Sequence, residues 1–75
     1  MRIPGEDVKA LLRKGAKLIL RADDYRYSEL DDFVRLAANA KAELTLVVGD
    51  SLNVDEVGKL HCIGREYLRI DLSCI

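Results

Sequence analysis

Four aspartates, one histidine–cysteine pair, one glycine turn and one aromatic–basic triplet are the groups in this 75-residue chain whose types and spacing could do chemistry. Asp23, Asp24 and Asp50 follow two short apolar runs, and Asp71 ends a third. Open parallel sheets bind ligands outside the carboxyl ends of their strands. Asp24 and Asp50 hold the same place in a repeated unit, so their carboxylates could hold a hard cation such as Mg²⁺. Acidic residues in such places also make Asx turns ahead of helix caps, and a cation needs positioned ligands rather than acidic loops. The expectation is no metal and no cofactor, with a cation-binding or small metal-dependent domain as the alternative.

Val48-Gly49-Asp50-Ser51 ahead of a helix start invites a phosphate-loop reading. A single glycine, no neighbouring lysine and an aspartate aimed at the same place oppose it. His61-Cys62 is the one pair suggesting a nucleophile, but adjacent helical residues point about 100° apart and do not face each other. A thiolate nucleophile also needs a base in hydrogen-bond reach and a third group to orient that base. His61 is expected on the inward stripe of its helix as a partly buried neutral ring. The chain is therefore read as non-enzymatic. Tyr25, Arg26 and Tyr27 form an aromatic and basic cluster of the kind enriched at interface hot spots, and Tyr67 and Arg69 raise the same question near the third strand.

The elements that position these groups follow from an internal repeat. Leu30, Phe33, Leu36, Ala37 and Ala40 recur 24 residues on as Val54, Val57, Leu60, His61 and Gly64, and Leu44 and Leu46 recur as Leu68 and Ile70. An earlier copy runs from Val8, Leu11, Leu12 and Gly15 into Leu18 and Leu20. Ser28 and Asn53 stand as helix caps before acidic first turns, and Asn53 with Glu56 makes a capping box. Gly15 and Gly64 are expected to end their helices in the left-handed conformation, with Asn39 serving the middle unit. The spacing predicts helices over 5–14, 28–40 and 53–63 and strands over 17–21, 43–48 and 67–72.

Leu44-Thr45-Leu46 and Leu68-Arg69-Ile70-Asp71-Leu72 alternate apolar with polar, so one face of each strand is buried. A doubly wound sheet would show unbroken apolar strands. With right-handed crossovers, the expected fold is α/β: three tandem helix–strand units in one domain, 1–75, with a parallel sheet of order 1-2-3 and every helix on one face. Leu18, Leu20, Leu44, Leu46, Leu68 and Ile70 then pack under the helices. Ile19, Arg21, Thr45, Val47, Arg69 and Asp71 line an open face. Order 2-1-3 with helices on both sides would explain why Leu18-Ile19-Leu20 is apolar on both faces, and ranks second because the other two strands alternate clearly.

In Leu18-Ile19-Leu20, Leu44-Thr45-Leu46 and Leu68-Arg69-Ile70 the chain resembles leucine-rich repeats, whose units carry an L-x-L strand beside a helix. It departs from that family at the asparagine after the strand, where Asp23, Gly49 and Ser73 stand. The resemblance implies protein binding through the outward residues of the bare sheet face.

Composition bounds the remaining classes. Hydrophobic residues make up 49% and charged residues 33%, which is globular rather than disordered. Twelve basic against thirteen acidic residues, a net charge of −1, oppose nucleic acid as the main partner; Arg21, Arg26, Arg65 and Arg69 have aspartates beside them. No run approaches the roughly 20 apolar residues that span a bilayer, and no apolar leader stands at the N-terminus. Cys62 and Cys74 lack metal-type spacing and read as reduced thiols, so the expected compartment is the cytoplasm. An uncovered face and an open parallel edge are liabilities that proteins hide. The expected role is a protein-interaction module, self-associating as a homodimer or binding a protein partner through Arg21, Tyr25, Arg26, Tyr27, Thr45, Val47, Tyr67, Arg69 and Asp71.

Overall fold

Within residues 3–50 and 52–72, which the computed structural model describes, three helices alternate with three four-residue strands: α1 Gly5–Arg13, β1 Leu18–Arg21, α2 Tyr27–Ala40, β2 Leu44–Val47, α3 Val54–Gly64 and β3 Leu68–Asp71. Two 3-10 turns, Ala22–Asp24 and Arg65–Tyr67, follow β1 and precede β3. The strands form a parallel sheet in the order β1-β2-β3. Leu18, Leu44 and Leu68 stand side by side in its register, as do Leu20, Leu46 and Ile70. The expected α/β architecture and strand order are thus found.

Period-two alternation explains the layering. Leu20, Leu44, Leu46 and Leu68 are buried beneath the helices, while Leu18 and Ile70, on the two edge strands, are partly buried against the same core. Val8 and Leu12 of α1 join Leu30, Phe33, Val34 and Ala37 of α2 and Leu60 of α3 to close that core. Leu11, although part of the apolar repeat, lies at the surface. Among the described residues the apolar outer side of β1 is uncovered, with Ile19 75% exposed, and the observed strand order excludes the 2-1-3 arrangement.

The repeat is less regular in the helices than in the strands. β2 and β3 align at a shift of 24 residues, whereas α2 and α3 begin 27 residues apart and end 24 apart. α3 is three residues shorter than α2, close to one turn. At the longer shift Phe33 is matched by Leu60 and Ala37 by Gly64, all buried, while buried Leu30 and Val34 fall on half-buried Val57 and exposed His61. At the 24-residue shift, buried Leu30 is set against Val54, which is 88% exposed, and buried Ala37 against exposed His61. The inward placement of His61 is therefore corrected.

Helix ends show which caps the chain uses. The Asn53–Glu56 box forms at α3: the Glu56 amide donates to Asn53 Oδ1 at 2.8 Å, and the Asn53 amide donates to Glu56 Oε1 at 3.1 Å. α2 starts one residue earlier than predicted, with Arg26 at its cap and Ser28 inside the first turn. There the Arg26 amide donates to the Glu29 carboxylate at 3.1 Å, which is the half of a capping box that needs no acceptor at the cap. Gly15 is left-handed as expected, at φ 79°. Lys41 (φ 57°) does this for α2, not Asn39.

Gly64 stays helical, at φ −80°, and is buried. A Cβ there would lie 2.5 Å from Leu68 Cβ and 2.8 Å from Val34 Cγ1, so this glycine permits close packing of α3 on α2 and β3. The reversal passes to Arg65, held at φ 54° and ψ −129°, a region that L-residues seldom adopt.

Candidate protein-interaction surface

The open face of the sheet is a grid of two rows, set by the strand register. Ile19, Thr45 and Arg69 form one row, and Arg21, Val47 and Asp71 form the other. β2 supplies the centre, where Thr45 and Val47 are half-buried by their neighbours. The edge strands carry the more exposed groups, Ile19, Arg21 and Arg69, with Asp71 half-buried and engaged in a polar contact within the chain. Ile19 and Val47 are diagonal neighbours, so an apolar strip crosses the face between two arginines and one aspartate. Lys17 and Glu43, each one residue ahead of its strand, pair at 3.7 Å and flank the first row. The outward placement of Arg21, Thr45, Val47, Arg69 and Asp71 is thus as the alternation predicts.

The other expected contact residues do not join that face. Tyr25 is a core residue, 7% exposed. Its ring meets Phe33 edge-on, with centroids 5.1 Å apart and planes at 84°, and its hydroxyl donates to the Ile3 carbonyl. The turn Ala22–Asp24 folds the chain back so that the ring seals the end of the core. That corrects its assignment as a partner contact. Arg26 is exposed at the cap of α2. Tyr27 is half-buried in a groove between α2 and α3, beside Asp31, Arg35, Gly58 and Ile63. Tyr67, in the turn ahead of β3, lines an adjoining cleft of about 630 Å³ with Arg35, Asn39, Cys62 and Arg65. Both lie on the helix layer, on the far side of the sheet from the open face. Periodicity gives no hint of these grooves.

Asp23, rather than Asp24, lies against the second loop: its Oδ2 occupies the space that a Cβ on Gly49 would need, at 2.2 Å. The space beside Gly49 is thus taken by a carboxylate rather than left open for a phosphate. Among the described residues, no three or more His, Cys, Asp or Glu side chains gather where they could hold a metal ion. The helix start that a phosphate loop would use is capped by Asn53 and carries Asp55 and Glu56. Cys62 is exposed, as is His61 beside it; Cys74, Ser51 and Ser73 lie outside the described residues. No helix among the described residues is long and apolar enough to cross a membrane. Comparison with protein-family models, curated sequences and solved structures finds nothing that matches this chain.

Proposed function

We propose that this chain is a small, non-enzymatic protein-interaction module of the cytoplasm that binds a protein partner or a second copy through the open face or edge of its sheet, without nucleic acid or cofactor. The observation that carries this reading is Ile19, 75% exposed at the centre of an edge strand with Val47 diagonal to it. Covering a side chain of that kind is worth about 1.5–3 kcal/mol, a sizeable share of the roughly 4–11 kcal/mol expected for a domain of this length. Arg21, Arg69 and Asp71 around the strip supply the polar rim that specific interfaces carry. The leucine-rich-repeat resemblance points to the same face.

The test is a pull-down from native lysate with three baits: the wild type, Val47→Asp on the open face, and Lys59→Glu on the helix layer. A partner lost with Val47→Asp and kept with Lys59→Glu supports the reading, provided both variants retain wild-type far-UV circular dichroism. A partner that ignores Val47→Asp and is lost with Lys59→Glu would place the interaction on the helix layer and end it.

A further inference from the structure

We infer that the open sheet face pairs with a second copy of itself about a two-fold axis running along β2. The inference rests on the reading of this face as an interaction surface and names its occupant. Two identical faces can meet about a two-fold lying along the strands or across them. With the axis along β2, β1 of one copy covers β3 of the other. Arg21 then stands opposite Asp71 of the second copy, and its own Asp71 opposite the second Arg21. Val47 meets Val47, Thr45 meets Thr45, and Ile19 lies on the aliphatic stem of Arg69, all by the register of the three strands.

Charge distribution decides between the two axes. Along β2, each rim of the dimer holds one Arg21, one Arg69 and one Asp71, so every arginine of the face has a carboxylate within its neighbourhood. Across the strands, both aspartates collect at one rim with both copies of Arg69. The other rim then receives two copies of Arg21 over Ile19, with no aspartate of either face. Bringing like charges together without a counter-charge is what specific interfaces avoid. Aligned sheets turn by about 30° on packing. At the ~4.8 Å that separates an edge strand from the axis, this displaces Arg21 by about 2.4 Å, which a flexible arginine spans. Asp71 already holds a contact in its own chain, but a carboxylate has about four acceptor positions and accepts an arginine in addition.

Size sets the strength. Six side chains over three four-residue strands remove on the order of 400 Å² per partner from water, about half of a standard interface. The dimer belongs with weak, transient contacts, with Kd on the order of 10⁻⁴ M or above.

The test is sedimentation velocity up to about 1 mM on the wild type, Arg21→Asp, Asp71→Arg and an equimolar mixture of the two variants. Along β2, each variant alone sets like charges opposite each other at both rims, whereas the mixture restores both pairs. The expected result is concentration-dependent dimerisation of the wild type, at least tenfold weaker association of each variant alone, and recovery in the mixture. A mixture no tighter than its components overturns the axis. If Asp71→Arg fails to fold, Thr45→Cys with Cys62→Ser and Cys74→Ser replaces it. A short bismaleimide should then link 45 to 45, and its failure to do so overturns the same arrangement. A wild type that stays monomeric overturns self-pairing while leaving the open face in place, provided the lysate partner is still sensitive to Val47→Asp. Dimerisation that survives Val47→Asp overturns self-pairing through this face, and the pull-down alone then decides whether the face binds a partner.

Discussion

Two glycines of α3 should respond to the same substitution with opposite signs. Gly58 and Gly64 both sit in the helix Val54–Gly64. A Cβ built on Gly58 meets nothing within 4 Å, whereas one on Gly64 falls 2.5 Å from Leu68 Cβ and 2.8 Å from Val34 Cγ1. Alanine is favoured over glycine in a helix by about 0.8–1 kcal/mol, so Gly58→Ala should stabilise by roughly that amount. Gly64→Ala has the same propensity gain to set against overpacking, which costs about 1–3 kcal/mol and occasionally more. The upper end applies, because Leu68 Cβ is fixed to the backbone of β3 and cannot turn aside. The net loss is then about 2 kcal/mol, and the two variants differ by about 3 kcal/mol. At about 1 kcal/mol per molar urea, their unfolding midpoints should lie about 3 M apart on either side of the wild type. Urea titration followed by circular dichroism reads this directly. Equal shifts for the two variants would refute the claim that close packing, rather than chain reversal, holds a glycine at position 64.

Arg65→Gly should stabilise by about 1 kcal/mol, since relief of a backbone strain of about 1–3 kcal/mol exceeds the added unfolded-state entropy of glycine, about 0.5–1 kcal/mol; thermal unfolding should show a rise of several degrees, and a fall would mean that the Arg65 side chain holds the turn. Tyr25→Phe keeps the edge-on ring contact and leaves the Ile3 carbonyl without its donor, so about 1–2 kcal/mol should be lost. Binding through the open face should be unchanged in a pull-down or sedimentation assay at a temperature where the variant stays folded.

Legibility followed rigidity. A strand's side chains alternate with a period of two, so one apolar run assigns every residue of that strand to a face. Arg21, Thr45, Val47, Arg69 and Asp71 are therefore readable as outward from the alternation alone. A helix tolerates the loss of about one turn without changing the face it buries, since three or four residues return to nearly the same direction. Hence a 24-residue shift from β2 to β3 and a 27-residue shift between the starts of α2 and α3 coexist, and neither shift places His61, which aligns with buried Ala37 at the first and with buried Val34 at the second.

The residues that escaped the sequence reading are those whose place depends on backbone torsion in a turn. Tyr25 follows an alanine and two aspartates, a composition that signals a loop and says nothing of which way the next ring points. The 3-10 turn at Ala22–Asp24 sends that ring onto Phe33 and its hydroxyl to Ile3, joining the start of the chain to the core. An aromatic beside an arginine in a loop thus has two fates that composition does not separate, anchoring the fold or anchoring a partner. Ile19 escapes that ambiguity. The alternation that buries Leu18 and Leu20 under the helices turns the residue between them away, and with all three helices on one side nothing in the described chain returns to cover it. The case for an interaction through the sheet therefore stands on β1 and its register with β2 and β3, and gains nothing from the loop aromatics.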